Sequence, residues 1–307
     1  MSYQPLDLDL CGRVVLVTGA TSGMGKETAR ELARMGAHVI LGCRSMQRAE
    51  ATRDEIIESP GATRVSVMAI DLASLASVRG FAAALHERFA KLDVLVNNAA
   101  ASLPERELTA EGFERQWATN VLGPHLLATL LLPALRASGH GRIVTVSTRV
   151  AGGLDLSDTQ YARRRYRGVA AYRASKQAAR MLTWALADEL KDERVTANAV
   201  NPGYVVTPLS PNVTGPLKLL ISLTSFAAQG ALDGADTTIW AAASPELEGI
   251  TGKFWNKRHE IRCRFRRAAE INTLRTIVEQ QLADASLLSA GTDDRATTGE
   301  PRRQPAR

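Results

Sequence analysis

Cysteine is scarce in this 307-residue chain: Cys11, Cys43 and Cys263 are an odd set without CxxC spacing. Such thiols exclude a disulfide framework and a cysteine zinc site, and they fit a reducing, cytoplasmic setting with no metal. The 23 glycines and 12 prolines are too few for a fibrous or low-complexity chain. Long apolar runs are also lacking. The strongest, around residues 126–135, falls short of the ~18–20 residues that span a bilayer, so no integral membrane segment is expected. Residues 1–10 carry Asp7 and Asp9 and no basic start before an apolar stretch, unlike a signal peptide. The net charge of +6 is too modest to argue for a nucleic-acid partner.

What is present is ordinary globular composition, 45% hydrophobic and 23% charged, enough for a large α/β core. Short apolar runs at 14–18, 38–41, 65–70, 94–96, 143–146 and 196–200 predict buried strands. Longer stretches at 26–35, 47–58, 77–89, 111–135 and 175–190 predict helices, with Gly36 ending the first. This alternation implies βαβ units in an α/β fold, a doubly wound parallel sheet with helices on both faces. No repeat or linker divides the chain, so a single domain is expected over 1–288, with a disordered, basic tail at 289–307. The basic stretch 257–267 reads as a solvated face or as a contact for a phosphate, a membrane surface or a partner.

The first strand runs into Thr18-Gly19-Ala20-Thr21-Ser22-Gly23-Met24-Gly25-Lys26, where a helix begins. Glycine suits each position physically: Gly19 turns the chain, Gly23 admits a pyrophosphate close to backbone, and Gly25 lets helix pack on strand. The helix start offers free N–H groups to phosphate. Thr21, Ser22 and Met24 complete this expected cofactor loop. Its TGxxxGxG spacing resembles the short-chain dehydrogenase/reductase family.

Dinucleotide choice is read at the end of the second strand. NAD sites commonly place an acid there for the ribose 2′-hydroxyl. This chain has Gly42-Cys43-Arg44-Ser45 instead, and Arg44 suits a 2′-phosphate. The expected cofactor is therefore NADP(H). Asp71-Leu72 looks like the family's adenine contact, although an acidic cap on the next helix is an equal reading. Asn97-Asn98-Ala99 resembles the family's NNAG segment and implies that Asn98 and Ala99 follow the cofactor. Position 100 is Ala where the family usually has Gly.

Of five tyrosines, only Tyr172 has a lysine four residues later, Lys176. On a helix the two share a face, and a nearby cation lowers a phenol's pKa from about 10 by roughly 1–3 units. Ser147-Thr148 ends the fifth strand, at the sheet edge where α/β folds place ligands. Ser147 stands 25 residues before Tyr172, a spacing seen in the family, with Thr148 the local substitute. The resemblance implies that Ser147 orients the substrate oxygen, that Tyr172 transfers the proton, and that Lys176 also binds nicotinamide ribose. It implies that Asn120 distorts its helix and supports a proton relay. Pro202, Gly203, Val205 and Thr207, in Asn201-Pro202-Gly203-Tyr204-Val205-Val206-Thr207, resemble the family's PG…T segment beside the nicotinamide.

The resemblance covers about residues 12–255. Gly252-Lys253-Phe254-Trp255 and the first-helix sequence further resemble the retinol dehydrogenase and protochlorophyllide reductase-like branch. That branch acts on lipophilic alcohols, carbonyls or a ring double bond. It implies a small-molecule carbonyl or alcohol as substrate. The segment 208–229, with Pro208, Pro211, Gly215 and Pro216 before an apolar run, is expected to form a lid or a subunit contact. Family members pair through long helices such as 111–135 and 175–190, so a homo-oligomer is among the expected states, as is a monomer. A non-catalytic NADP(H)-binding redox regulator is the alternative function. A sugar-nucleotide epimerase fits less well, because the loop spacing differs and no large C-terminal substrate domain follows.

Overall fold

The computed structural model describes residues 3–202 and 230–297, with side chains as far as Ser286. Six strands match the apolar runs: β1 (Val14–Thr18), β2 (His38–Cys43), β3 (Val65–Ala69), β4 (Val94–Asn97), β5 (Arg142–Val146) and β6 (Thr196–Asn201). Two short strands follow, β7 (Phe254–Asn256) and β8 (His259–Glu260). Their order is β3-β2-β1-β4-β5-β6-β7-β8. Strand pairs from β3 through β7 are parallel, and β8 is antiparallel to β7. The order reverses between β1 and β4, the crevice where such sheets bind ligands.

Helices cover both faces. On one lie α1 (Gly23–Arg34), α2 (Met46–Ile57) and α6 (Ala231–Ala243); on the other lie α3 (Leu75–Arg88), α4 (Gly123–Ala137), α5 (Gly168–Glu189) and α7 (Ala268–Thr297). Alternation along β1 feeds both cores: Val15 and Val17 pack toward α1, and Leu16 toward α4.

Three differences from the sequence expectation matter for function. First, the stretch 111–135 is not one regular helix. A single turn, Arg115–Trp117, passes into a π-turn, Ala118–Leu122, before α4. From Arg115 to Ala137 the stretch is long and apolar enough to cross a membrane, yet it is two-thirds buried inside the fold. Second, α5 begins at Gly168, not near residue 175. The Ser175 hydroxyl bonds back to the Tyr172 carbonyl at 2.8 Å, as a serine inside a helix does. Third, α7 continues through Thr297, past residue 289 where the disordered tail was expected to start.

Candidate active site

The phosphate loop is built by close approach. Gly19 has φ +66°, and a Cβ there would sit 2.9 Å from the Ala99 Cα. A Cβ on Gly25 would lie 2.4 Å from both the Asn98 amide nitrogen and the Gly19 carbonyl oxygen. Thr18 fastens the loop: its buried hydroxyl donates to the Val96 carbonyl at 3.2 Å and accepts from the Asn98 and Ala99 amides at 3.1 and 3.2 Å. Thr18 was missed as a site residue, although it opens the TGxxxGxG motif.

Asn98 takes a structural part here. Its side-chain amide donates to the carbonyls of Thr18 at 2.8 Å and Gly19 at 3.3 Å. It therefore shapes the cradle. The α1 start beside it carries no acid in its first turn, and the Ser22 side chain does not cap it. The first N–H groups of the helix are thus left to an outside acceptor. Thr21 and Ser22 lie open to solvent in part or in full, whereas Met24 packs against the core under α1.

Arg44 follows the end of β2, exposed to solvent, with no carboxylate partner among the described residues. Arg48, one turn into α2, is also exposed, with no ion-pair partner among the described residues. Lys26 is engaged elsewhere, in an ion pair with Glu55 at 2.5 Å. Asp71 shapes a turn: its carboxylate accepts from the Ala73 amide at 2.9 Å. Leu72 is buried, leaving its backbone rather than its side chain for any ligand.

The proton-transfer residues gather on α5 against the end of β5. Lys176 is buried, and its ammonium donates to the Val146 carbonyl at 2.9 Å. The Ser147 hydroxyl donates to the Lys176 carbonyl at 3.2 Å. The Lys176 Nζ stands 5.8 Å from the centre of the Tyr172 ring. Asn120 lies in the π-turn. Its side chain accepts from the Ala101 amide at 2.7 Å, and donates to the Ala101 carbonyl at 2.9 Å and the Ser175 hydroxyl at 3.0 Å. Ser175 in turn reaches Tyr172, so a continuous chain of bonds ties Asn120 to the phenol's own backbone. The side-chain amide of Asn120 is used up in positioning.

Electrostatics departs from the sequence reading. Burial pushes the Tyr172 phenol up rather than the lysine pulling it down, and burial lowers Lys176 to about 8. The reason is geometric. The ammonium faces a carbonyl, and both groups have lost water, which disfavours their charged forms. Among the described residues no carboxylate offsets the lysine.

Pro202 follows β6 beside Asn201, whose side chain accepts from the Arg149 amide at 2.9 Å. Gly203, Val205, Thr207 and the expected lid at 208–229 lie outside the described residues. No cluster of three metal-ligating side chains occurs among the described residues.

Comparison with known proteins agrees with this geometry. Residues 13–216 match the family model for short chain dehydrogenases. The chain is 40% identical over 261 residues to retinol dehydrogenase 14 of Homo sapiens, covering 80% of this chain and 78% of that protein. It is 39% identical over 280 residues to polyprenol dehydrogenase of Mus musculus, covering 88% and 80% respectively. Among solved structures, the Pseudomonas aeruginosa RhlG/NADP active-site complex superposes with a TM-score of 0.65 at 27% identity, covering 81% of this chain and 96% of that one.

Proposed function

The chain belongs to the short-chain dehydrogenase family, in its retinol dehydrogenase-like branch, and on that premise we propose that it is an NADP(H)-dependent oxidoreductase that interconverts a carbonyl and an alcohol on a largely apolar small molecule. The observation that carries the reading is the placing of Tyr172 and Lys176 one turn apart on α5, with Lys176 bonded to the end of β5 and to Ser147 just beyond it, and its Nζ 5.8 Å from the Tyr172 ring centre.

The residues present fit a dinucleotide phosphate. Side chains at Gly19 and Gly25 would fill the cradle, the α1 N-terminus is uncapped by Ser22, and Arg44 is a free cation where NAD sites carry an acid. When bound, the nicotinamide supplies or accepts the hydride. The chain's residues do the rest. Ser147 holds the substrate oxygen. Tyr172, protonated near neutrality because burial raises its pKa, gives a proton to that oxygen in the reducing direction. Lys176 donates hydrogen bonds from beneath, and Asn120 fixes the loop at Ala101 and the turn before Lys176. Relatives named for retinol and polyprenol support an alcohol or its carbonyl as substrate. Cytoplasmic residence belongs to the same proposal.

The test is a panel of aldehydes and ketones assayed with NADPH and with NADH, on the wild-type chain and on Tyr172→Phe. Turnover with NADPH is expected, with Tyr172→Phe slowed by about 10²–10⁴-fold while NADPH still binds. Unchanged turnover in that variant removes Tyr172 from the chemistry. NADPH binding with no turnover of any compound favours the regulator instead.

A further inference from the structure

A cavity of about 380 Å³ opens at Arg180, one helical turn along α5 from Lys176, and its lining is unusual for an apolar-substrate enzyme. Four arginines face it, Arg149, Arg180, Arg262 and Arg264, with no acidic residue among the lining. Its remaining walls are Phe254, Phe265 and Ile261.

Arg180 decides what the cavity is for. The residue is only 3% exposed, and it forms no ion pair with a carboxylate among the described residues. Its guanidinium lies 4.2 Å from the Phe254 ring centre and 4.9 Å from that of Phe265, held between two aromatic faces. One Nη donates to the Thr148 carbonyl at 3.1 Å. Its Nε is buried with no hydrogen-bond partner. The Cys263 thiol is the other polar neighbour, and Arg264 adds a second positive charge close by. A buried guanidinium with an idle N–H and a like-charged neighbour is unfavourable unless an anion completes it.

Position ties this cavity to the reaction. Arg180 lies one helical turn beyond Lys176 on the same face of α5, about 6 Å along the axis. Arg149 follows Ser147-Thr148 directly. The cavity is not the cofactor's phosphate site. Arg44 follows β2, and four strands separate β2 from β7, a span of roughly 24 Å.

We infer that the arginine-lined cavity is an anion-recognition subsite of the active site, and that the substrate is an amphipathic acid. It carries a carboxylate or phosphate that pairs with Arg180, and an apolar body that runs along Phe254, Phe265 and Ile261. The inference rests on the oxidoreductase reading for the word substrate; the binding site stands without it.

Titration calorimetry on the full chain, with and without NADP+, tests the site using octanoate, octyl phosphate and octanol. The acids are expected to bind at least about tenfold more tightly than octanol, an advantage that salt weakens. Arg180→Met, which keeps an apolar stem between the rings, should remove most of that advantage. If this variant does not fold, the exposed pair Arg149→Ser and Arg264→Ser should cut octanoate and octyl phosphate affinity about tenfold together and leave octanol unchanged. Tighter binding of octanoate assigns a carboxylate, and tighter binding of octyl phosphate a phosphate. Octanol binding as well as both acids, or arginine variants that bind the acids as wild type does, overturns the inference. A retained acid preference without any NADPH-dependent turnover defeats the oxidoreductase reading alone.

Discussion

Two cations in this molecule carry opposite lessons at the scale of single residues. Arg44 is exposed and idle, so its value lies in what it meets. A hydrogen bond to a charged partner contributes about 1.5–3 kcal/mol. Arg44→Ala should therefore raise the KM for NADPH by roughly 10–100-fold and leave NADH kinetics nearly unchanged, which steady-state assays with both cofactors will read. Lys176 is the reverse case, buried without a counter-charge among the described residues and lowered to about 8. In the unfolded chain a lysine titrates near 10.4. Below pH 8 both states hold the proton, and the fold bears the full penalty of a buried ammonium. Between about pH 8 and 10.4 the unfolded state holds more protons, so wild-type stability gains with rising pH through this group. Lys176→Met removes the penalty. It should stabilise the cofactor-free protein by about 1–3 kcal/mol at pH 7, lose that advantage by pH 10, and be nearly inactive. Urea denaturation at the two pH values measures this. An advantage of the same size at both would show that burial does not set the lysine's pKa.

At the scale of elements, what was legible in the sequence is what side-chain patterning encodes. The run Val14–Thr18 gave β1 to the residue, because a strand covered on both faces must be apolar throughout. The glycine loop was equally plain, since each close approach demands a missing Cβ. Gly25→Ala tests that demand: its methyl would meet the Gly19 carbonyl and the Asn98 amide at 2.4 Å. The change should weaken NADPH binding by about tenfold or more while thermal unfolding shifts by only a few degrees, as α1 and the loop move apart. Three features escaped the pattern. The π-turn at Ala118–Leu122 is a slip in backbone hydrogen bonding, invisible in the order of side chains. The start of α5 was hidden because Gly168 opens it behind Arg167, with no capping side chain to mark the boundary. Arg180 was unreadable as a site residue because its burial depends on Phe254 and Phe265, far along the chain. Asn98 stands out by motif as a cofactor contact, while its side-chain amide is committed to loop carbonyls.

At the scale of the whole molecule, the open question is what covers the long apolar faces of α4 and α5. These helices are the expected pairing surface of the family. Here α7 lies along α5, and its Ile271, Leu274, Val278 and Ala285 join the core that α3, α4 and α5 share. Polar contacts fix its register, with the Trp117 indole donating to Gln281 at 3.0 Å and Gln281 donating to Thr159 at 3.4 Å. The chain's own C-terminal helix thus covers part of the α5 face that a second copy would need. Burying four such side chains contributes on the order of 5 kcal/mol, and the same apolar surface would face water if α7 were removed. Ending the chain at Arg267 should therefore bare that face and give a chain that self-associates or precipitates more than the full-length one. Sedimentation velocity on the two chains distinguishes the cases. A truncated chain that stays monomeric and stable would mean that α7 shields nothing the fold needs covered. A full-length dimer whose interface cross-links through α4 would mean that α7 leaves those helices to serve as the pairing surface after all.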